Sequence, residues 1–243
     1  MKIKQDDFGK KLEKYFNAST TATTAQKLKD FPKYVPRQIL TTFLVKYEIF
    51  KKILNTHGSI VECGVHQGGG IMTFAKLSAI FEPVNYTRKI IGFDTFSGFP
   101  SLSKQDKGRG DDRKQAHIGG MLADSFSDLQ KCIELYDLDR FVNHIPKVQL
   151  VKGNAIRTIP QYLKKNPHTV VSLLYLDFDL FEPTKVALQN FLPRMPKGSI
   201  VAFDELNNET WMGETEAVLK TVGLNNLKIE RFSFDSRISY SIL

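Results

Sequence analysis

Cysteine and long hydrophobic runs are scarce in this sequence. Among 243 residues there are two cysteines, Cys63 and Cys132, without CxxC or similar metal-ligand spacing. Cys63 lies in an apolar run, where we expect it to pack as a small hydrophobic residue in a reducing cytosol, without a disulfide. No run approaches the roughly 18 apolar residues that a membrane helix needs, and the start, MKIKQDDFGKKLEKYF, lacks the apolar part of a secretory signal. These absences predict a cytoplasmic protein with no membrane partner.

An arginine-rich stripe interleaved with aromatic residues is also absent, although the net charge is +8. Residues 1–57 hold 12 Lys and Arg against 5 Asp and Glu, which leaves 22 against 21 in the rest of the chain. A scattered basic segment is usually a solvated face, whereas a nucleic-acid groove shows clustered basic and aromatic residues. We therefore expect no nucleic-acid partner.

The hydrophobic pattern indicates an α/β fold. Residues 37–54 carry apolar side chains at three- and four-residue spacing, which predicts an amphipathic helix against the core. Five short runs rich in Val and Ile follow, separated mostly by helix-length segments: SIVECGV, KIIGFD, VQLVKGN, VVSLLYLDFD and SIVAFDE. This order predicts a doubly wound, mostly parallel sheet. Two strand-like runs at the end, LKIERFSF and RISYSIL, predict an antiparallel C-terminal hairpin.

The length suits one compact domain with additions. We expect residues 1–57 to form a helical segment that packs on the core and residues 58–243 to form the main domain. Residues 96–123 have little periodicity and follow the second predicted strand. Long loops of this kind are often lids or binding loops, and a surface excursion is the alternative.

The run SIVECGVHQGGGIMTF predicts a ligand-binding turn between a strand and a helix. Its glycines do not match the G-x-G-x-x-G fingerprint of dinucleotide sites, and no GK[ST] follows as in a phosphate loop. Glu62 would repel a pyrophosphate but could pair with an ammonium group. Asp94, at the end of KIIGFD, could accept the hydroxyls of a ribose, and Gly153 and Asn154 suit an adenine edge. Together these residues indicate S-adenosylmethionine (SAM).

At these residues the sequence resembles the macrocin-type (TylF-like) O-methyltransferases, in particular the deoxyhexose 3-O-methyltransferase branch. The matching motifs are ECGVHQGGG, GFDTFSGFP, YLDFDLFEPT and MPKGSIVAFDELN. The resemblance implies a class I methyltransferase fold, SAM as methyl donor, Mg²⁺ or another divalent cation, a sugar or glycoside acceptor, and a homodimer or larger assembly. The cofactor-binding set that we predict is Glu62, Gly64, Val65, Gly68, Gly69, Asp94, Ser97, Gly153, Asn154 and Asp177.

Acidic residues close two of the predicted strands. Asp177 and Asp179 alternate in YLDFDLF, so we expect only one of them to be a ligand, and Asp204 and Glu205 close SIVAFDE. Asp177, Asp204 and Glu205 could gather on one ion, since Mg²⁺ and Ca²⁺ prefer carboxylate oxygens. In the resembling family two aspartates often stand where this chain has Asp204 and Glu205. We predict Asp177 as both metal ligand and catalytic proton acceptor.

Other interpretations remain open. The D-x-D of LDFD also occurs in metal-dependent glycosyltransferases that use nucleotide sugars, and a non-catalytic SAM-fold binding protein is the third possibility. His66 and Asp179 are alternative bases. The glycines could serve a plain turn, Glu62 could be a structural carboxylate, and Asp94 could cap a helix.

Overall fold

The computed structural model describes residues 5–106, 108, 109 and 114–243, with side chains from Phe8 onward. In this part the helices are α1 (Gln5–Ala18), α2 (Thr24–Lys29), α3 (Arg37–Ile53), α4 (Gly69–Phe81), α5 (Phe126–Leu138), α6 (Ala155–Lys165), α7 (Phe181–Phe191) and α8 (Gly213–Thr221). The strands are β1 (Ser59–Cys63), β2 (Ile90–Asp94), β3 (Val148–Lys152), β4 (Val171–Leu176), β5 (Ile200–Phe203), β6 (Glu230–Arg231) and β7 (Ser239–Ile242). The five predicted runs each contain one strand of the sheet.

The strands form one sheet in the order β3-β2-β1-β4-β5-β7-β6. Strands β1 to β5 are parallel, whereas β7 pairs antiparallel with both β5 and β6. The doubly wound sheet and its C-terminal hairpin are therefore confirmed. The strand order reverses between β1 and β4, and ligands of such sheets bind outside the carboxyl ends of the strands at this switch point.

The core has two layers, one on each face of the sheet. Because side chains alternate along a strand, Ile60 and Tyr175 join the layer that includes residues of α4 and α5, whereas Val61 and Leu174 join the layer of α6, α7 and α8. The central strands β1, β4 and β5 are buried along their whole length, which explains their continuous apolar composition.

The predicted helix is confirmed by α3, but only part of its apolar stripe is buried. The buried apolar residues are Val45, Ile49, Phe50 and Ile53, whereas the first apolar residues of the helix, such as Phe43, are exposed. The helix contains two overlapping sets of apolar residues, and periodicity alone does not distinguish which set faces the core.

The chain divides into two compact units, Met1–Leu44 and Val45–Leu243, with the division inside α3. In the first unit, α2 begins with a capping box in which Thr23 and Gln26 satisfy each other's backbone N–H groups. Packing of residues 1–57 on the core stays a prediction. Within the described residues, no helix combines the length and apolar character needed to cross a membrane.

Candidate functional site

The glycine turn brings the carboxyl ends of β1 and β4 into close contact. Gly64 follows β1 with φ 96°, and a Cβ at this position would collide with the backbone carbonyl of Asp177. The Asp177 N–H donates to the carbonyl of Cys63 at 2.8 Å. Gly68, with φ 87°, then starts α4 and packs against Leu129 of α5. Both glycines are therefore required by close approach of the chain to itself.

Asp94 holds the turn in place. Its Oδ2 accepts hydrogen bonds from the backbone N–H groups of Val65 and His66, both at 2.8 Å, and its Oδ1 accepts one from Phe96 at 2.7 Å. His66 and Phe96 both have positive φ, 49° and 53°, which non-glycine residues seldom adopt. The carboxylate thus stabilises two tight turns at the switch point, a role that the interpretation as a ribose partner did not include.

Glu62 is buried beneath the first turn of α4, beside a lysine that the sequence interpretation missed. Lys46 of α3 places its Nζ 3.5 Å from Glu62 Oε1, and the other oxygen, Oε2, has no hydrogen-bond partner among the described residues. A Cβ on Gly70 would collide with Oε1. Burial raises the pKa of the Glu62 carboxyl to about 7, although Lys46 opposes the shift. An unpaired carboxylate oxygen in this position suits a cationic ligand.

Four clustered carboxyl groups have raised pKa values, Asp177, Asp179, Glu205 and Glu214, and the charge of Asp204 contributes to the rise in each of them. Burial is the main cause in each shifted group, and repulsion from neighbouring carboxylates adds to it. The pKa of Asp179 rises to about 8 and that of Glu205 to about 6. The structure therefore concentrates negative charge at the carboxyl ends of β4 and β5.

The two aspartates of LDFD both contribute to this cluster. β4 ends at Leu176, so Asp177 and Asp179 lie beyond the strand and the alternation of side chains no longer applies. Asp179 has φ 61°, and its charge raises the pKa of Asp177. The alternation behind the expectation of a single ligand therefore does not apply to this pair, and which of the two aspartates is a ligand stays a prediction.

Asp204 is held by residues from two other elements. The hydroxyl of Tyr175, which is fully buried in β4, donates to Asp204 Oδ1 at 2.9 Å. Arg237, between β6 and β7, places its Nε 3.4 Å from Asp204 Oδ2. Both carboxylate oxygens are thus oriented by the protein.

A hydrogen bond joins the backbone of Glu205 to the side chain of Glu214. Glu214 Oε1 accepts from the N–H of Glu205 at 2.9 Å, while its fully buried Oε2 has no hydrogen-bond partner in the described structure. The side chain of Asn208 donates to Glu205 Oε2. Glu214 was not predicted from the sequence because this residue lies in α8, whereas the prediction considered acidic residues at the ends of strands.

The remaining predicted residues lie around the turn with different roles. Asn154 caps α6, since its side chain accepts from the Ile156 N–H at 3.0 Å, and the N–H of Gly153 donates to the Asp94 carbonyl at 2.8 Å. Ser97 is exposed after β2, and a Cβ on Gly69 would meet no described atom within 4 Å. The cofactor role of these residues stays a prediction.

The described residues of the long segment 96–123 make contacts near the acidic cluster, and residues 107 and 110–113 lie outside the described part. Asp106 Oδ1 accepts from the Phe181 N–H, at the start of α7, at 2.6 Å. Phe99 packs edge-on against Trp211 with ring centroids 5.7 Å apart, and Leu180 joins this small apolar cluster. The described part of the loop is thus anchored to the segments that follow β4 and β5.

Metal binding fits the charge of the site better than its side-chain geometry. Across residues 5–106, 108, 109 and 114–243, no three His, Cys, Asp or Glu side chains are arranged as a metal-binding group. The donor set nevertheless consists of hard carboxylate oxygens, which Mg²⁺ and Ca²⁺ prefer, and Glu214 Oε2 is buried without a hydrogen-bond partner among these residues. A cation would offset the repulsion among the acids.

A family model for macrocin-O-methyltransferases (TylF) matches residues 45–228. The chain is 26% identical over 153 residues to 8-demethyl-8-(2,3-dimethoxy-alpha-L-rhamnosyl)-tetracenomycin-C 4'-O-methyltransferase of Streptomyces olivaceus, covering 61% of this chain and 52% of that protein. It is 28% identical over 154 residues to demethyldecarbamoylnovobiocin O-methyltransferase of Streptomyces niveus, covering 62% and 53%. The chain thus spans about half the length of the curated relatives it matches.

Solved structures of CalS11, a calicheamicin methyltransferase, are similar along the entire chain. One has a TM-score of 0.92 at 32% identity, covering 100% of this chain and 94% of that chain. An apo structure, in which CalS11 is described as a TDP-rhamnose 3'-O-methyltransferase, has a TM-score of 0.84 at 31% identity, covering 100% and 96%.

Proposed function

The chain belongs to the macrocin-O-methyltransferase (TylF) family and has the class I methyltransferase fold, and we propose that it transfers a methyl group from SAM to a hydroxyl group of a sugar. The acceptor would be a deoxyhexose, carried as a nucleotide sugar or attached to a natural product. The observation that carries this proposal is the acidic cluster beside the glycine turn at the switch point of the sheet. It supplies proton acceptors next to the turn at which a cationic cofactor would bind.

The cofactor pocket would use the turn from Gly64 to Gly69, with Glu62 beneath it. The Oε2 of Glu62, which has no hydrogen-bond partner in the described part of the chain, fits the ammonium of SAM, and no pyrophosphate would be stable beside this carboxylate. Asp94 would position the turn and would also accept a hydrogen bond from a ribose hydroxyl, through lone pairs that its three hydrogen bonds to described residues leave unused. In the reaction the methyl carbon leaves sulfur and bonds to the acceptor oxygen, which gives S-adenosylhomocysteine (SAH) and an ether.

Asp177 is our proposed proton acceptor, and it would take the proton that the acceptor hydroxyl releases. Burial and the charges of Asp204 and Asp179 raise its pKa well above the usual carboxyl value. A carboxylate with a raised pKa is a stronger proton acceptor once it is ionised, and a bound cation would keep it ionised. Asp179 is the second candidate base, while His66 is exposed on the turn.

We include Mg²⁺ in the proposal, held by Asp177, Asp204 and Glu205. When bound, the ion would lower the pKa of an acceptor hydroxyl and help to orient it. Tyr175 and Arg237 would orient Asp204 in either case. Cytoplasmic localisation and a homo-oligomeric state stay predictions.

A direct assay separates this proposal from the two alternatives. Labelled SAM is incubated with deoxyhexose nucleotide sugars and glycosides, with Mg²⁺ or with excess EDTA. We expect methylated sugar with Mg²⁺, loss of transfer with EDTA, and SAH affinity that EDTA leaves unchanged. Asp177→Asn should abolish most of the activity, whereas Asp128→Asn, at an exposed position of α5, should retain it.

Each contrary result has a distinct meaning. Release of nucleoside diphosphate with sugar transfer would identify a glycosyltransferase. SAM binding without turnover on any acceptor would favour a binding protein. Full activity of metal-free protein in EDTA would remove the metal from the proposal and leave the methyltransferase reaction in place.

A further inference from the structure

Lys46 is a buried cation that uses little of its hydrogen-bonding capacity within the described part of the chain. Its side chain is 6% exposed. Among the described residues, its ammonium contacts Glu62 Oε1 at 3.5 Å and the ring faces of Tyr175 and Phe74, with the Nζ 3.4 Å and 5.4 Å from the ring centroids. An ammonium has three donors, and a hydrogen bond to a carboxylate is normally near 2.8 Å. The ion pair with Glu62 is therefore loose.

Glu62 is incompletely satisfied as well. Its Oε2 is buried and finds no partner in the described part of the chain. A buried charge pair is costly unless additional hydrogen bonds satisfy its remaining donors and acceptors. Lys46 and Glu62 thus offer one positive and one negative group, each with capacity left for a ligand.

The location of the pair matches one end of the proposed cofactor. Glu62 is the fourth residue of β1, directly before the glycine turn, and its carboxylate lies against Gly70 in the first turn of α4. The amino-acid end of SAM is a zwitterion with an ammonium and a carboxylate on the same carbon. Glu62 would bind the ammonium of SAM, but Glu62 alone would leave the carboxylate of SAM without a cationic partner.

We propose that Lys46 and Glu62 form a zwitterion-binding pair, in which Lys46 binds the carboxylate of the amino-acid end of SAM and Glu62 binds its ammonium. This inference rests on the proposed function and assigns a further cofactor-binding residue. The rings of Tyr175 and Phe74 keep the Lys46 ammonium in place through cation–π contacts. Lys46 would then hold the cofactor and would not act only as the counter-ion of Glu62.

The test compares SAM with decarboxylated SAM, which retains the ammonium, the sulfonium and the adenosine but lacks the carboxylate. Calorimetric titration without acceptor gives both dissociation constants for the parent protein, for Lys46→Met and for Lys51→Met. Lys51 is on the same helix and exposed, where it pairs with Glu48. Methionine keeps the approximate length of lysine without its charge.

We expect the parent and Lys51→Met to bind SAM about 10- to 100-fold more tightly than decarboxylated SAM, the range for a hydrogen bond to a charged group. In Lys46→Met the two constants should agree within about threefold. The affinity for methylthioadenosine, which lacks the entire amino-acid end, should be the same in all three proteins. That third ligand separates local loss of the carboxylate contact from general damage to the pocket.

Two results would overturn the inference. One is a parent that binds SAM and decarboxylated SAM equally well, which decides the matter even if Lys46→Met does not fold. The other is a Lys46→Met protein that keeps the parental preference for SAM. A parent that binds neither ligand would refute the proposed function together with this inference, so the two failures are distinguishable.

Discussion

Asp94 shows how one carboxylate organises the backbone around the proposed cofactor site. Three backbone N–H groups converge on it, from Val65, His66 and Phe96. Hydrogen bonds to a charged group contribute about 1.5–3 kcal/mol each, and the donors would otherwise need water. The residue is partly buried, which makes full replacement by water unfavourable.

We predict that Asp94→Ala weakens SAH binding at least tenfold and also lowers the free energy of unfolding by about 2 kcal/mol, since up to three donors lose their partner. Asp94→Asn keeps one acceptor oxygen and should have a smaller effect on both quantities. Calorimetry and urea unfolding measure the two effects. Unchanged SAH affinity in a destabilised Asp94→Ala protein would mean that the turn is independent of the cofactor.

Tyr175 is a positioning residue for Asp204, because its hydroxyl is the buried donor to Oδ1. Tyr175→Phe removes only this donor and keeps the ring that packs against Phe74. If Asp204 is a metal ligand, loss of such an outer contact typically costs 10- to 100-fold in metal affinity or activity. We expect Tyr175→Phe to lower both the rate of methyl transfer and the affinity for Mg²⁺ by about 10- to 100-fold.

The matched control is Tyr162→Phe in α6, which removes a hydroxyl that donates to Gln149 Oε1 of β3 at 3.0 Å. The two variants are compared by steady-state kinetics at varied Mg²⁺ concentration. Titration with SAH measures whether the cofactor site is intact. SAH affinity should be the same in both. Parental activity and Mg²⁺ affinity in Tyr175→Phe would show that Arg237 alone suffices to orient Asp204.

Among the elements, the junction between α3, β1 and β4 depends on one buried arginine. Arg88 Nη1 donates to the carbonyl of Gly58 at 2.9 Å, and Nη2 donates to the carbonyls of Ile53 and Thr56 at 3.1 and 3.0 Å. Its Nε lies 2.8 Å from Glu82 Oε1. The guanidinium thereby donates to backbone carbonyls at the end of α3 and before β1, where the last carbonyls of a helix lack partners within the helix.

We predict that Arg88→Met lowers the free energy of unfolding by about 3–5 kcal/mol, because Glu82 would be left as a buried charge without its partner. The exposed Arg157 of α6 is the control, and Arg157→Met should change stability by less than about 0.5 kcal/mol. Urea unfolding followed by circular dichroism gives both values. A loss below about 1 kcal/mol for Arg88→Met would mean that the junction is held by apolar contacts.

For the whole molecule, the proposed ligand links function to global stability. A ligand that binds only the folded protein adds RT ln(1 + [L]/Kd) to the free energy of unfolding, about 2.7 kcal/mol at 100 times Kd. Each 1 kcal/mol shifts Tm by about 2–4 °C in proteins of 150–250 residues. We therefore predict that SAH at 100 times its Kd raises Tm by about 5–10 °C.

Scanning calorimetry with and without SAH measures this shift, and NAD at the same concentration is the control. NAD should leave Tm unchanged, since the turn lacks the dinucleotide fingerprint and Glu62 disfavours a pyrophosphate. An equal shift by NAD would contradict the assignment of the cofactor.

Much of the fold and part of the site follow from local sequence. Apolar runs rich in Val and Ile specify buried parallel strands, and the pair LKIERFSF and RISYSIL specifies the hairpin, because these signals lie in neighbouring residues. The acids that close β4 and β5 were also found from sequence, since the carboxyl ends of neighbouring parallel strands meet at one edge of the sheet.

The partners of those residues come from packing between distant segments. Lys46 meets Glu62 because α3 lies on the β1 and β4 face, Tyr175 reaches Asp204 across 29 residues, and Glu214 enters the cluster from α8. Nothing in the residues next to Lys46 shows which side of its helix is buried. Local composition therefore specifies which elements form and where each one ends, whereas the contacts that satisfy buried charges depend on how the helices pack on the sheet, and no local pattern encodes that arrangement.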